Sequence, residues 1–224
     1  MPKSDILLTN TFYPSGLTEG QAQVHYLKNS NRIIKKANKR PVLTFIYTET
    51  NKYIVKRNGT NGEPFVLTHD NFERIVHSRV VGLSVELPLL TPYWCLDIDA
   101  KENGSEKKKQ ECVREVLEFL KTMNEVESHQ ITTSSTSYHI YAHLHRKQHV
   151  ISSRAYVKKQ LLGHFGNQYN VDSKGRGGSK INIDLSPMAR RGSHTILHGL
   201  NLNGLKCIDV TDSYERLNRR RLKA

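Results

Sequence analysis

Apolar positions along the chain change period several times, and the changes mark the expected elements. In residues 18–37, TEGQAQVHYLKNSNRIIKKA, Val24, Leu27, Ile34 and Ala37 fall on or near one stripe at helical spacing. Thr18 and Gln21 make a capping-box pair in front of them, and Pro41 closes the segment. VLTFIYTETNKYIVKR alternates on both sides of a Glu-Thr-Asn-Lys corner, which predicts a hairpin. DNFERIVHS reads as a short helix, and VVGLSVELPLL as an apolar strand that Pro92 ends. The clearest helix is GSEKKKQECVREVLEFLKTMN, where Ser105 is the cap and Cys112, Val116, Phe119, Leu120 and Met123 recur at three- and four-residue spacing. HQITTSST and YHIYAHLH predict strands around a turn, SSRAYVKKQLLGHF a helix, DSKGRGGSK a glycine-rich loop and INIDLS a strand. No internal repeat or low-complexity linker interrupts this order. Strands alternating with helices imply an α/β or α+β fold, and 224 residues suffice for one domain or two joined lobes.

Charge adds the first functional constraint. The 34 Lys+Arg against 21 Asp+Glu give a net charge of +13, an excess that suits a polyanion, with nucleic acid ahead of anionic membrane. Arg219, Arg220, Arg221 and Lys223 crowd the basic end, which is expected to fray. No apolar run approaches the ~20 residues of a membrane span, and MPKSDILLTNTFYPSG lacks the pattern of a signal peptide. Cys95, Cys112 and Cys207 are too scattered for a disulfide framework or a cysteine zinc site, so a reducing, cytoplasmic setting is expected.

The chemistry concentrates in three places. In YWCLDIDAKENG, strand alternation puts Asp97 and Asp99 on one face and Trp94, Leu96 and Ile98 on the other. Two carboxylates roughly 7 Å apart on one face repel each other unless a cation lies between them, and hard divalent cations take carboxylate oxygens. Asp184, in INIDLS, is a third acid on an apolar strand. Three such acids can hold two divalent ions about 4 Å apart, the arrangement used for in-line displacement at phosphorus. A strand-borne Asp-x-Asp also opens haloacid dehalogenase phosphatases, but Lys101 stands where those enzymes need Thr or Val. The second place is SSTSYHIYAHL, where Ser137 and His139 share a strand face beside a polar turn suited to phosphate. The third is ARRGSHTILHG, in which Arg190, Arg191, His194 and His198 form a dense set of phosphate donors. Lys107, Lys108 and Lys109 start a helix and read as a solvated face. A competing motif is HLH at 143–145 with Tyr156 and Lys159, which imitates rolling-circle nicking endonucleases, though Tyr156 follows too closely.

The order apolar-DxD, then S-x-H, then apolar-D with Arg and His behind it resembles the archaeo-eukaryotic primase superfamily. Within it the chain is most similar to the polymerase domain of bacterial end-joining ligase D. TFYPSGLTEGQAQVHYL is similar to that family's opening segment, and KRPVLTF, KYIVKRN and INIDLSPMARRGSHT resemble later segments. ILHGLNLNG is closer to the replicative primase small subunit. SSTSYH has Ser, Thr and Tyr where the family carries a glycine-rich turn, and Arg190 and Arg191 remain equal candidates for one family position. The resemblance implies a sheet of the RNA-recognition type packed on a smaller N-terminal α/β lobe, the primase-polymerase fold. In this chain those parts would be a lobe over about 1–92, a catalytic lobe over about 93–215 and a basic tail over 216–224. It further implies template-dependent addition of NTPs or dNTPs to a 3′ end of DNA, in repair or in replication priming, with two Mn²⁺ or Mg²⁺ ions on Asp97, Asp99 and Asp184. Ser137, His139, Arg190, Arg191, His194 and His198 would hold the triphosphate. The resemblance implies that the chain would act alone or borrow partners, namely a ligase, a Ku-type end binder or a helicase, near the nucleoid. The alternative from another class is a nucleic-acid binder without catalysis.

Overall fold

The structure, a computed structural model, describes residues 16–47, 53–58, 62–77, 80–100, 105–134, 137–172, 179–201 and 205–215. The chain divides into two compact units, Met1–Glu86 with Thr195–Cys207, and Leu87–His194 with Ile208–Ala224. The two sheets and their helices form the α/β class expected from the order of elements.

In the first unit, α1 (Glu19–Ala37) begins at the Thr18 capping box, with both reciprocal bonds to Gln21 formed. Its buried face is Ala22, Tyr26, Ile33 and Ala37, whereas Val24 is exposed, so the helix is rotated from the stripe read in the sequence. Tyr26 sets that rotation: its ring is fully buried and its hydroxyl accepts from the Leu200 N–H at 3.4 Å. Replacing Thr18 by Ala removes the cap, and a loss of about 1 kcal/mol is expected, read as a lower urea midpoint with an unchanged slope.

β1 (Val42–Tyr47) and β2 (Tyr53–Lys56) pair antiparallel as the predicted hairpin, whose corner at 48–52 lies outside the described residues. α2 (His69–Val76) carries a second capping box on Thr68 and Asn71. β3 (Val80–Glu86) follows, and the sheet order is β2-β1-β3-β9, with β9 (Ser193–Thr195) ending at Thr195, the residue where the chain returns to this unit. After that return, Ile196 donates to the Leu83 carbonyl and Leu83 to that of Leu200, and both Ile196 and Leu200 enter the core around Tyr26 and Leu83.

The second unit is built on a six-stranded sheet. Its order is β10 (Ile208–Asp209), β5 (Val126–Thr133), β6 (Tyr138–His149), β4 (Leu90–Ala100), β8 (Ile181–Asp184), β7 (Asn170–Val171), and only β7 runs parallel to its neighbour. Pro92 does not end a strand, contrary to the sequence reading. β3 stops at Glu86, and Pro92 lies inside β4 at a register shift between Thr91 and Tyr93, where its missing N–H breaks no regular ladder bond. One face of the sheet is apolar: Trp94, Leu96, Ile98, Ile131, Ile140, Ala142 and Ile183 pack with α3 (Glu106–Lys121) and α4 (Val150–Phe165). Trp94, Leu96 and Ile98 are fully buried there, so Asp97 and Asp99 face the other side. Ser105 occupies the N-cap of α3 without a side-chain cap bond. Lys107 and Lys108 are exposed, but Lys109 is buried and paired with Glu106 at 2.7 Å. Among the described residues, no helix is long and apolar enough to cross a membrane. The DSKGRGGSK loop and the basic end with Arg219, Arg220, Arg221 and Lys223 lie largely or wholly outside the described residues.

Candidate active site

Strand register assembles the site. Asp97 on β4 is directly opposite His139 on β6 and Asp184 on β8, and His139 is opposite Thr132 on β5. Directly opposed residues share a face, so Thr132, His139, Asp97 and Asp184 form one cross-strand row on the side away from the helices. Two residues along β4, Asp99 faces Asn182 and Asn182 faces Asn170, a second row beside the first. Three motifs separated by dozens of residues thus meet on three adjacent strands.

Each carboxylate has its own polar neighbour. Both oxygens of Asp184 accept from Ser186, from its N–H and its hydroxyl, each at 2.8 Å. The Oδ1 of Asp99 accepts from the Asn182 amide at 2.7 Å. The Ser137 hydroxyl serves Asp97, and His139 Nε2 stands 3.7 Å from Asp97 Oδ1, within ion-pair range but beyond hydrogen-bond reach.

Three polar atoms of the first row are buried without a hydrogen-bond partner: Thr132 Oγ1, His139 Nδ1 and Asp97 Oδ1. Buried polar groups are normally paired, so three unpaired atoms in one row call for an explanation, as do Trp94 Nε1, Arg154 Nε and Tyr214 Oη elsewhere. Burial raises the Asp97 carboxyl above the usual range, against the His139 imidazole, and the Asp99 and Asp184 charges push it further up. Asp99 is likewise raised by burial and by Asp184, against the Asn182 bond and the Lys109 charge.

These features fit divalent cations. The donors are hard oxygens, one is orphaned, and the acids repel one another without a positive charge among them. Among the described residues, no three His, Cys, Asp or Glu side chains stand close enough together to hold a metal ion.

The remaining expected residues are placed as follows. His194 is buried in this unit between two hydroxyls, Tyr141 at 3.0 Å from Nδ1 and Tyr93 at 3.3 Å from Nε2, with its ring 6.5 Å from that of His139. Arg190 and Arg191 are exposed on the turn before β9, Arg191 with φ +57°. His198 belongs to the first unit, where its N–H donates to Cys207 and its carbonyl meets the His25 ring at 2.8 Å.

Sequence patterning passes over Asn182, Asn170, Tyr93, Tyr141 and Ser186. Asn182 and Tyr141 had a signal, since strand alternation puts them on one face with Asp184 in INID and with His139 in YHIY. The nicking motif is taken apart by the sheet. His143 packs on Tyr93 on the carboxylate side, whereas Tyr156 packs on Trp94 from the helix side and donates to Glu125 at 2.8 Å.

The fold is shared with a solved polymerase domain. The solved structure of the polymerase domain from Mycobacterium tuberculosis ligase D in complex with DNA matches with a TM-score of 0.69, over 97% of this chain and 96% of that one. The two sequences are 14% identical, so the likeness is one of fold. No family model matches the chain, and no curated protein does.

Proposed function

We propose that the chain is a template-dependent nucleotidyltransferase that joins an NTP or dNTP to the 3′ end of a DNA primer. The 3′ oxygen would attack the α-phosphorus, the bond to the bridging oxygen would break, and pyrophosphate would leave. The observation that supports this most is the row Thr132–His139–Asp97–Asp184, with its unpartnered buried atoms, on a fold shared with a polymerase domain.

Asp97, Asp99 and Asp184 would hold two divalent cations, Mg²⁺ or Mn²⁺. When bound, such cations neutralise the triphosphate and lower the pKa of the attacking hydroxyl. Ser137 and His139 would donate to the triphosphate, His139 adding a hydrogen bond from a ring already oriented toward Asp97. Arg190 and Arg191, exposed on their turn, suit its outer oxygens. His194, the further candidate triphosphate donor, lies between the two tyrosine hydroxyls with its ring 6.5 Å from that of His139. The role of His198 as a further triphosphate contact rests on the resemblance of ILHGLNLNG to primases. The net charge of +13 would grip the template backbone, so binding would weaken steeply with salt.

Primer extension with Mn²⁺ or Mg²⁺ and each nucleotide type tests the reading. Template-matched addition is expected. A chain that binds DNA yet adds nothing under any of these conditions would be a binder without catalysis. A preference for gapped DNA bearing a 5′-phosphate would assign the activity to repair, and dinucleotide synthesis on single-stranded template to priming.

A further inference from the structure

The second cross-strand row is a hydrogen-bond relay with a fixed polarity. Asn170, buried on the edge strand β7, donates from one amide nitrogen to the Ser179 carbonyl at 2.7 Å and to Asn182 Oδ1 at 2.9 Å. With its oxygen so engaged, Asn182 turns its amide nitrogen to Asp99 Oδ1 at 2.7 Å. An asparagine side chain has one acceptor end and one donor end, so the donor behind it and the carboxylate before it lock the same orientation. Asp184 is served by Ser186, and Asp97 by Ser137 with His139 in ion-pair range, whereas Asp99 is held through two linked amides.

We propose that Asn182, oriented by Asn170, is the positioning residue that aims the Asp99 carboxylate at a divalent cation; this rests on the nucleotidyltransferase reading above. The relay fixes the rotation of Asp99 and so the direction of its second oxygen. Groups behind a metal ligand typically contribute 10–100-fold in metal affinity. Asn170→Asp breaks the relay: an acceptor replaces the donor behind Asn182 Oδ1, two carboxylates then compete for the one Asn182 amide nitrogen, and Asp99 loses its fixed partner.

The test is direct Mn²⁺ titration of the full chain, followed by the paramagnetic signal of free Mn²⁺, without nucleotide or DNA. Asn170→Asp is expected to weaken Mn²⁺ binding about tenfold or more. This sign is diagnostic, because an added negative charge near the site would by itself tighten a cation. Asn182→Ser is expected to weaken binding to a similar degree with little loss of thermal stability. Adding Asn170→Asp to Asn182→Ser is expected to cause no further loss, since residue 170 acts only through residue 182. Wild-type or tighter binding by Asn170→Asp, or full additivity in the double variant, overturns the proposal. A wild-type chain showing no saturable Mn²⁺ binding that depends on Asp97 and Asp184 would instead overturn the reading of the carboxylates.

Discussion

Asp97→Asn is expected to lower kcat/KM for nucleotide addition by at least about a hundredfold and, without divalent metal, to raise the melting temperature. The first effect follows from position: Asp97 is central in its row, flanked by His139 and Asp184, and carries the orphaned oxygen. Residues merely behind a ligand already cost 10–100-fold, so loss of the ligand itself should reach or exceed that range. The second effect follows from repulsion. Burial and the Asp99 and Asp184 charges raise the Asp97 carboxyl, which means that its charged form is held at a cost in the folded state. Asparagine removes that charge while keeping the shape, and a chain of this size gains about 2–4 °C per kcal/mol.

The pH dependence has a definite sign. A carboxyl raised in the folded state binds more protons folded than unfolded, so its stabilising contribution is complete below the unfolded pKa near 3.9 and is lost as pH rises through the raised value. The melting temperature of wild type minus that of Asp97→Asn should therefore fall as pH rises through that window. Mn²⁺ should restore the wild type alone at the upper end. A difference that grows with pH in the absence of metal would contradict the electrostatic account.

Gly192→Ala is expected to destabilise the protein by roughly 1–3 kcal/mol and to depress activity further. A Cβ at this position would come within 3.0 Å of the Ser186 and Pro187 carbonyl oxygens, and backbone cannot swing aside as a side-chain tip can. Gly192 also donates to the Ala189 carbonyl at 2.8 Å and accepts from Leu87 at 3.1 Å, which leaves it little room to retreat. The turn from Ser186 to Gly192 is the one whose first residue clamps both oxygens of Asp184, so relief of the clash would be transmitted to the third carboxylate. Gly163→Ala, in α4 with nothing within 4 Å of the added atom, supplies the contrast: a gain of up to about 1 kcal/mol from helix propensity. Urea denaturation of the two variants separates packing from propensity, and equal behaviour would refute the clash.

Legibility in the sequence followed the range of the interaction. The Thr18 capping box involves residues three apart and was readable in full. The common face of Asp97 and Asp99 was readable because strand alternation is local and Trp94, Leu96 and Ile98 define its opposite. That Asp184 would stand opposite Asp97 depended on a register between strands far apart in the chain, which no periodicity encodes; the resemblance to primases suggested it. Pro92 misled because proline usually ends strands, and the register shift that admits it within β4 has no sequence mark. Val24 misled because helical spacing leaves the rotation of α1 open by one or two positions, and the Tyr26 hydroxyl decided it. Asn182 was legible by alternation, but Asn170 was not, since β7 has only two residues.

The return of 195–207 has a consequence for synthesis on the ribosome. Leu83 awaits Ile196 and Leu200 to complete its hydrogen bonds and core contacts, and these residues emerge only after the whole intervening segment. At about 5–20 residues per second the delay is on the order of 10 s. During that interval the nascent amino-terminal half would carry an unfinished sheet edge and an unsealed core, and a translational pause before residue 196 would lengthen its exposure to proteases and chaperones.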